Sequence, residues 1–117
     1  MELFGNIMIL KVNGKLSYDG IVEAIKQHYP KATHHIIWDL SNSTVSEMTK
    51  DDFKQIPAAA KQYLPNRSGG MTAYVSNVTS DFGLLRMYTA YAEIAEMPYG
   101  YRVYKTMEDA LEWLERN

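Results

Sequence analysis

Cysteine is absent from the 117 residues, which excludes disulfides, thiolate metal sites and any mechanism built on a cysteine nucleophile. A dominant charge is missing too. Twelve Lys and Arg stand against fourteen Asp and Glu, a net charge of −2, with the two signs interspersed. Such a chain has no electrostatic footprint for nucleic acid or an anionic membrane. No basic leader precedes the apolar run Ile7–Leu10, and that run is far too short for a signal sequence or a membrane span. A soluble, cytoplasmic protein without stable membrane insertion is therefore expected. The Asn-x-Ser/Thr triplets beginning at Asn42, Asn66 and Asn77 are chance matches in that setting. Internal repeats, linkers and low-complexity stretches are also lacking. One domain over residues 1–117 follows, large enough to bury roughly two thirds of its unfolded surface without staples.

What is present is an alternation of apolar strands and amphipathic helices. Glu2–Phe4 and Ile7–Val12 flank Gly5-Asn6, a dipeptide suited to a two-residue hairpin turn. The second strand is expected to end at Asn13-Gly14. Ser17 is a good N-cap, with Ile21, Val22, Ile25 and Tyr29 on one helical face and Pro30 as the stop. His34–Leu40 is the clearest strand, apolar in a row at Ile36-Ile37-Trp38, as in a strand covered on both faces. Ser41–Ser46 reads as a polar loop.

Thr49-Lys-Asp-Asp52 resembles a capping box with Asp in place of Glu. Phe53, Ile56, Ala60 and Tyr63/Leu64 continue that stripe, but Pro57 interrupts it, so a kink or break is expected there. Asn66–Gly70 reads as a turn and Met71–Ser76 as a strand. Asn77–Ser80 is a loop, and Asp81–Met97 is the longest helix, closed by Pro98. Leu84, Leu85, Tyr88, Ala92 and Ala95 mark its buried side. Tyr101–Lys105 is the last strand. Thr106 opens a final helix whose stripe is Met107, Ala110, Leu111 and Leu114. The fold class is α/β, a single mostly parallel sheet with an N-terminal hairpin in the order β-β-α-β-α-β-α-β-α.

In open α/β sheets ligands bind beyond the carboxyl ends of the strands. Three polar loops are expected there, Asp39–Glu47, Asn77–Asp81 and Lys105–Thr106, two of them running into helix N-termini. Their polarity serves either a site or the caps that helices need in any case. Asp39, Ser41, Ser43, Thr49, Ser76 and Asp81 are the candidate ligand or partner residues. No catalytic set, cofactor or metal site is indicated. His34 and His35, read as strand neighbours, point to opposite faces and do not chelate one ion, and His28 suits a helix end. Asp81-Phe82-Gly83 lacks every accompanying kinase motif, and Gly69-Gly70 lacks the rest of a phosphate loop. The nine tyrosines and seven methionines fall mostly at core spacing.

Three segments resemble the SpoIIAA-like family, relatives of the STAS domains. They are Ile36–Leu40 with Thr49–Phe53, Ala73–Ser76 running to Phe82–Tyr88, and Tyr101–Tyr104 with Glu108–Leu114. The resemblance implies a domain usually without enzymatic activity that acts as a phosphorylation-controlled binding partner. In some members it implies a lipophilic ligand. The STAS phosphoacceptor motif, Asp-Ser-Ser-Gly, falls by an ungapped count on Glu47-Met48-Thr49-Lys50, so Thr49 alone keeps an acceptor hydroxyl.

The first functional reading is thus a regulatory or ligand-binding module with a protein partner. The second is a carrier of a lipophilic small molecule, which needs an apolar cavity between a helix and the sheet. The third is a small enzyme at the carboxyl edge, which needs Asp39 beside Ser41 or Ser76 in a closed pocket with an activating base.

Overall fold

The computed structural model describes residues 2–32, 34–63, 70–94 and 100–116. Five strands form one mixed sheet in the order of the chain: β1 (Glu2–Phe4), β2 (Ile7–Lys15), β3 (His35–Thr44), β4 (Met71–Val75) and β5 (Gly100–Tyr104). β1 pairs with β2 antiparallel, and every later neighbour is parallel. The hairpin closes from Phe4 to Ile7 through Gly5, whose φ of +61° lies in the region that only glycine enters without strain.

Four helices cover the sheet: α1 (Tyr18–His28), α2 (Lys50–Gln62), α3 (Thr79–Ile94) and α4 (Met107–Glu115). Strand alternation sorts the core into two layers. Met8, Leu10, Ile36, Trp38 and Tyr74 pack with Ile25, Phe53, Ile56, Leu85 and Tyr88 from α1, α2 and α3. Ile7, Ile37, Ala73 and Val75 pack with Ala110 and Leu114 of α4. Three helices therefore lie on one face and α4 alone on the other. The central strand β3 is buried on both, which is why its apolar residues run consecutively.

Caps set the helix starts. Ser17 Oγ accepts from Gly20 N–H at 3.0 Å, Thr106 Oγ1 from Asp109 N–H at 3.1 Å, and Thr49 forms a complete capping box with Asp52. After α1 a 3-10 turn at Tyr29–Lys31 carries Pro30 and buries Tyr29.

Several expectations change. Ser41–Ser46 is not one loop, because β3 runs on to Thr44 and pairs Asn42, Ser43 and Thr44 with Asn13, Gly14 and Lys15. β2 likewise continues past Asn13-Gly14 to Lys15. The register slips between Lys11 and Asn13, and Gly14 adopts φ +85°. A bulge of this kind lets backbone pairing continue through a polar stretch that periodicity reads as loop.

α2 is unbroken, with Pro57 buried in its interior. A second helix starting at Pro57 is ruled out: Phe53, Ile56 and Ala60 all pack into the core, and that burial outweighs a cost of about 3 kcal/mol for an interior proline. In α4 the fully buried positions are Ala110 and Leu114, while Met107, Leu111 and Trp113 flank them. α3 begins at Thr79, two residues before the expected start. The expected end of that helix at Met97-Pro98, the position of Ala95 and most of the Asn66–Gly70 turn fall outside the described residues, and Ala92 is described in its backbone only.

Candidate functional site

The carboxyl ends of β3 and β4 feed α2 and α3, and two of the three polar segments meet there through Asp81. This carboxylate stands in the first turn of α3, where unpaired backbone N–H groups favour negative charge. It is buried, at 2% exposure. Its Oδ1 accepts from Thr44 Oγ1 at 3.2 Å and its Oδ2 from Val45 N–H at 3.3 Å. Thr44 Oγ1 in turn accepts from Ser46 N–H at 3.1 Å, and Met48 N–H donates to Val45 O at 3.0 Å. The segment from Thr44 to Met48 is thereby folded on itself and tied to α3. An exposed ion pair, Lys15 Nζ to Glu47 Oε1 at 3.1 Å, spans from the end of β2.

Ser76, at the end of β4, donates its N–H to Tyr104 O at 3.0 Å. Its Oγ is buried and has no hydrogen-bond partner among the described residues. Thr49 is exposed. Its Oγ1 accepts from Asp52 N–H at 3.1 Å, and its own N–H donates to Asp52 Oδ2 at 2.9 Å. A phosphate on Thr49 would displace this cap and sit against the Asp52 carboxylate.

Asp39 and Ser41 form a separate unit. Asp39 Oδ1 accepts from Ser41 N–H at 3.1 Å and from Ser41 Oγ at 2.6 Å, a local side-chain turn at the bulge. Asp39 shares the alternation of Ile37 and so faces the α4 side, whereas Val45, held by Asp81, belongs to the three-helix core. Ser43 turns back to Leu40 O at 3.2 Å. Asp39 does lie beside Ser41 as an enzyme would need, yet the bond closes a turn between residues two apart, and His35 starts the same strand at its other end. Of the six candidates only Asp39 and Ser41 bond each other, on the α4 side; Asp81 is tied to Thr44 and Val45, Ser43 and Ser76 bond backbone groups, and Thr49 caps α2.

Three residues at this edge carry more than their sequence signal. Thr44 and Val45 are the ligands of the Asp81 carboxylate, a pairing across 36 and 37 positions that no local pattern announces. Val78 stands 42% exposed on the loop before α3, between exposed Asn77 and exposed Thr79 and Ser80. A single apolar residue in that polar run is the one cue the sequence holds.

Among the described residues no group of three His, Cys, Asp or Glu side chains converges on a metal position. His34 and His35 are not the opposite-facing strand neighbours expected from the sequence. His34 sits in a bend before β3, and its ring lies 3.9 Å from that of His35. His35 is buried, with Nδ1 accepting from Met71 N–H at 3.1 Å.

Under the three helices lies an aromatic core. Trp38 Nε1 donates to Tyr29 OH at 3.0 Å. Tyr74 stacks between Trp38 and Tyr101, with centroids 6.5 and 6.4 Å away, and meets Tyr88 edge-on at 5.5 Å. Burial, then the neighbouring tyrosines, pushes the Tyr74 and Tyr88 phenols well above their usual range. A cavity of about 20 Å³ lies here among Ile25, Trp38, Phe53, Ile56, Leu85 and Tyr88. It is apolar and no larger than about one water molecule. No helix among the described residues is long and apolar enough to cross a membrane. Comparison of the chain with protein-family models, curated proteins and solved structures finds no match.

Proposed function

We infer that this chain is a non-enzymatic regulatory or ligand-binding module of the SpoIIAA-like, STAS-related type, cytoplasmic, with a protein partner bound at the carboxyl edge of the sheet. The supporting observation is Val78. It is an apolar side chain exposed just before α3, flanked in the chain by exposed Asn77, Thr79 and Ser80. An apolar centre within a polar rim is the layout of a protein interface. Thr49 serves as part of that rim rather than as a phosphoacceptor, since its hydroxyl caps α2 and Glu47, Asp51 and Asp52 repel a phosphate. A photo-crosslinking residue at position 78, expressed in the native host, should capture a discrete partner, and Thr49→Glu or Val78→Asp should reduce its capture or binding. Retention of every partner and ligand by both variants would move the site elsewhere.

The apolar cavity between the sheet and three helices favours a second reading, a carrier of a lipophilic small molecule. At about 20 Å³ the space admits no lipid unless a helix moves outward. Native mass spectrometry of protein taken from cells would show a bound lipophile, and a bare chain mass would remove this reading.

A further inference from the structure

β5 ends the sheet, and no described strand pairs with its outer side. Ser76 N–H bonds Tyr104 O, so Tyr104 turns its polar backbone toward β4. In a parallel ladder successive residues alternate, and Val103 therefore points its N–H and C=O outward. Helices overhang this edge on both faces. On one side Phe82, Arg86 and Thr89, one stripe of α3, wall a groove of about 270 Å³ along β5. On the other, Asp109, Glu112, Trp113 and Arg116 of α4 wall a second groove of about 310 Å³ with Arg102 and Tyr104. The outer edge of β5 thus runs between these two grooves as a shallow slot.

The charge in this slot is selective. Arg86, Arg102 and Lys105 are exposed, and none has a carboxylate partner among the described residues. Arg102 lies 5.6 Å over the Trp113 ring and Lys105 5.5 Å over Phe82. Arg86 stands in the α3-side groove with no acid beside it among the described residues, while Arg102 turns to Trp113 on the other face. Across the strand, Glu112 is paired with Arg116 and Asp109 stands near it. In a chain of net charge −2, this edge gathers three exposed cations that have no carboxylate partner among the described residues.

We propose that the outer edge of β5 is a strand-addition site for an acidic extended peptide of another protein. The peptide lies in the slot as a sixth strand, bonds the outward backbone of Val103, and turns alternate acidic side chains toward Arg86. Its other side chains meet Tyr104 and Trp113 on the α4 side. Backbone pairing supplies affinity in this mode, and side-chain pockets supply specificity. A second copy of this chain is the poorer occupant, because edge-to-edge pairing would gather the three cations of each copy together.

The probe is an end-blocked octapeptide of alternating valine and glutamate, titrated into the isotopically labelled full chain and followed by NMR. Chemical-shift changes should centre on the amides of Val103 and Lys105 and spare Thr44–Thr49. The lysine counterpart of the peptide should bind at least about tenfold more weakly, a difference of about 1.4 kcal/mol. Arg86→Glu, on an exposed face, should lower affinity for the glutamate peptide with the fold intact. Val103→Pro removes one outward N–H without touching the ladder to β4 and should abolish binding. If that variant fails to fold, Arg86→Glu still decides. Equal binding of both peptides by the wild type, no shift at β5, or a dimer formed through β5 at low micromolar concentration would overturn the proposal.

Discussion

Asp81 shows how one side chain sets a local structure. Its carboxylate satisfies a buried backbone N–H and a hydroxyl from a segment far away in sequence while sitting at a helix start that favours its charge. Asp81→Ala leaves Val45 N–H buried without an acceptor, a cost of about 1–3 kcal/mol. Chemical denaturation should show a loss in that range, and a loss below about 0.5 kcal/mol would mean the loop finds another acceptor. Ser76 makes the opposite case. Its Oγ has no partner among the described residues, so Ser76→Ala removes a desolvated hydroxyl and should leave stability equal or up to about 1 kcal/mol higher. A clear destabilisation in the same assay would show that the hydroxyl makes a favourable bond in the folded chain.

At the level of elements, α2 and α4 show packing overriding and refining local preference. Pro57 cannot donate to the carbonyl of Phe53, and its ring crowds that carbonyl. Pro57→Ala restores the bond and removes about 3 kcal/mol of strain, against roughly 1.5 kcal/mol of lost packing for two methylene equivalents. The variant should be more stable to denaturant by a net of about 1.5 kcal/mol, and a loss would show that the buried ring is the stronger term. In α4, Leu114 is 2% exposed while Leu111 is half-buried. Leu114→Ala should cost about 2–5 kcal/mol and Leu111→Ala distinctly less. The reverse order on thermal or chemical denaturation would contradict the docking of this helix.

The whole molecule is asymmetric about its sheet, with the tyrosine-rich core under three helices and a thin apolar layer under one. That burial makes stability depend on alkaline pH. Tyr74 and Tyr88 keep their protons in the folded state above the usual value of 10.0, whereas unfolded tyrosines release theirs near that pH. The unfolded chain then binds fewer protons, so stability falls as pH rises through about 10 and is unaffected by these groups below it. Phenolate absorbance should rise in two phases, exposed tyrosines first and the buried pair together with loss of near-ultraviolet circular dichroism. A single phase with the fold intact would show that the core phenols reach solvent.

The helix stripes, the hairpin at Gly5-Asn6, the three caps at Ser17, Thr49 and Thr106, and the doubly covered Ile36–Trp38 were legible in the chain itself. Each rests on contacts or spacings within a few residues, where periodicity and capping chemistry act directly. The extension of β3 through Ser41–Thr44 was not, because its strand character comes from pairing with Asn13–Lys15 across a bulge. Nor was the continuity of α2 through Pro57, which depends on core contacts that compensate a local penalty. Topology gathers the polar strand ends at one edge of the sheet, but which of their groups meet was decided in three dimensions. Asp39 faces α4 by strand alternation, while Asp81 is drawn to Thr44 and Val45 by bonds that close only after β3 and α3 lie side by side. Local sequence set the elements, and long-range backbone pairing and burial decided which of their polar groups meet.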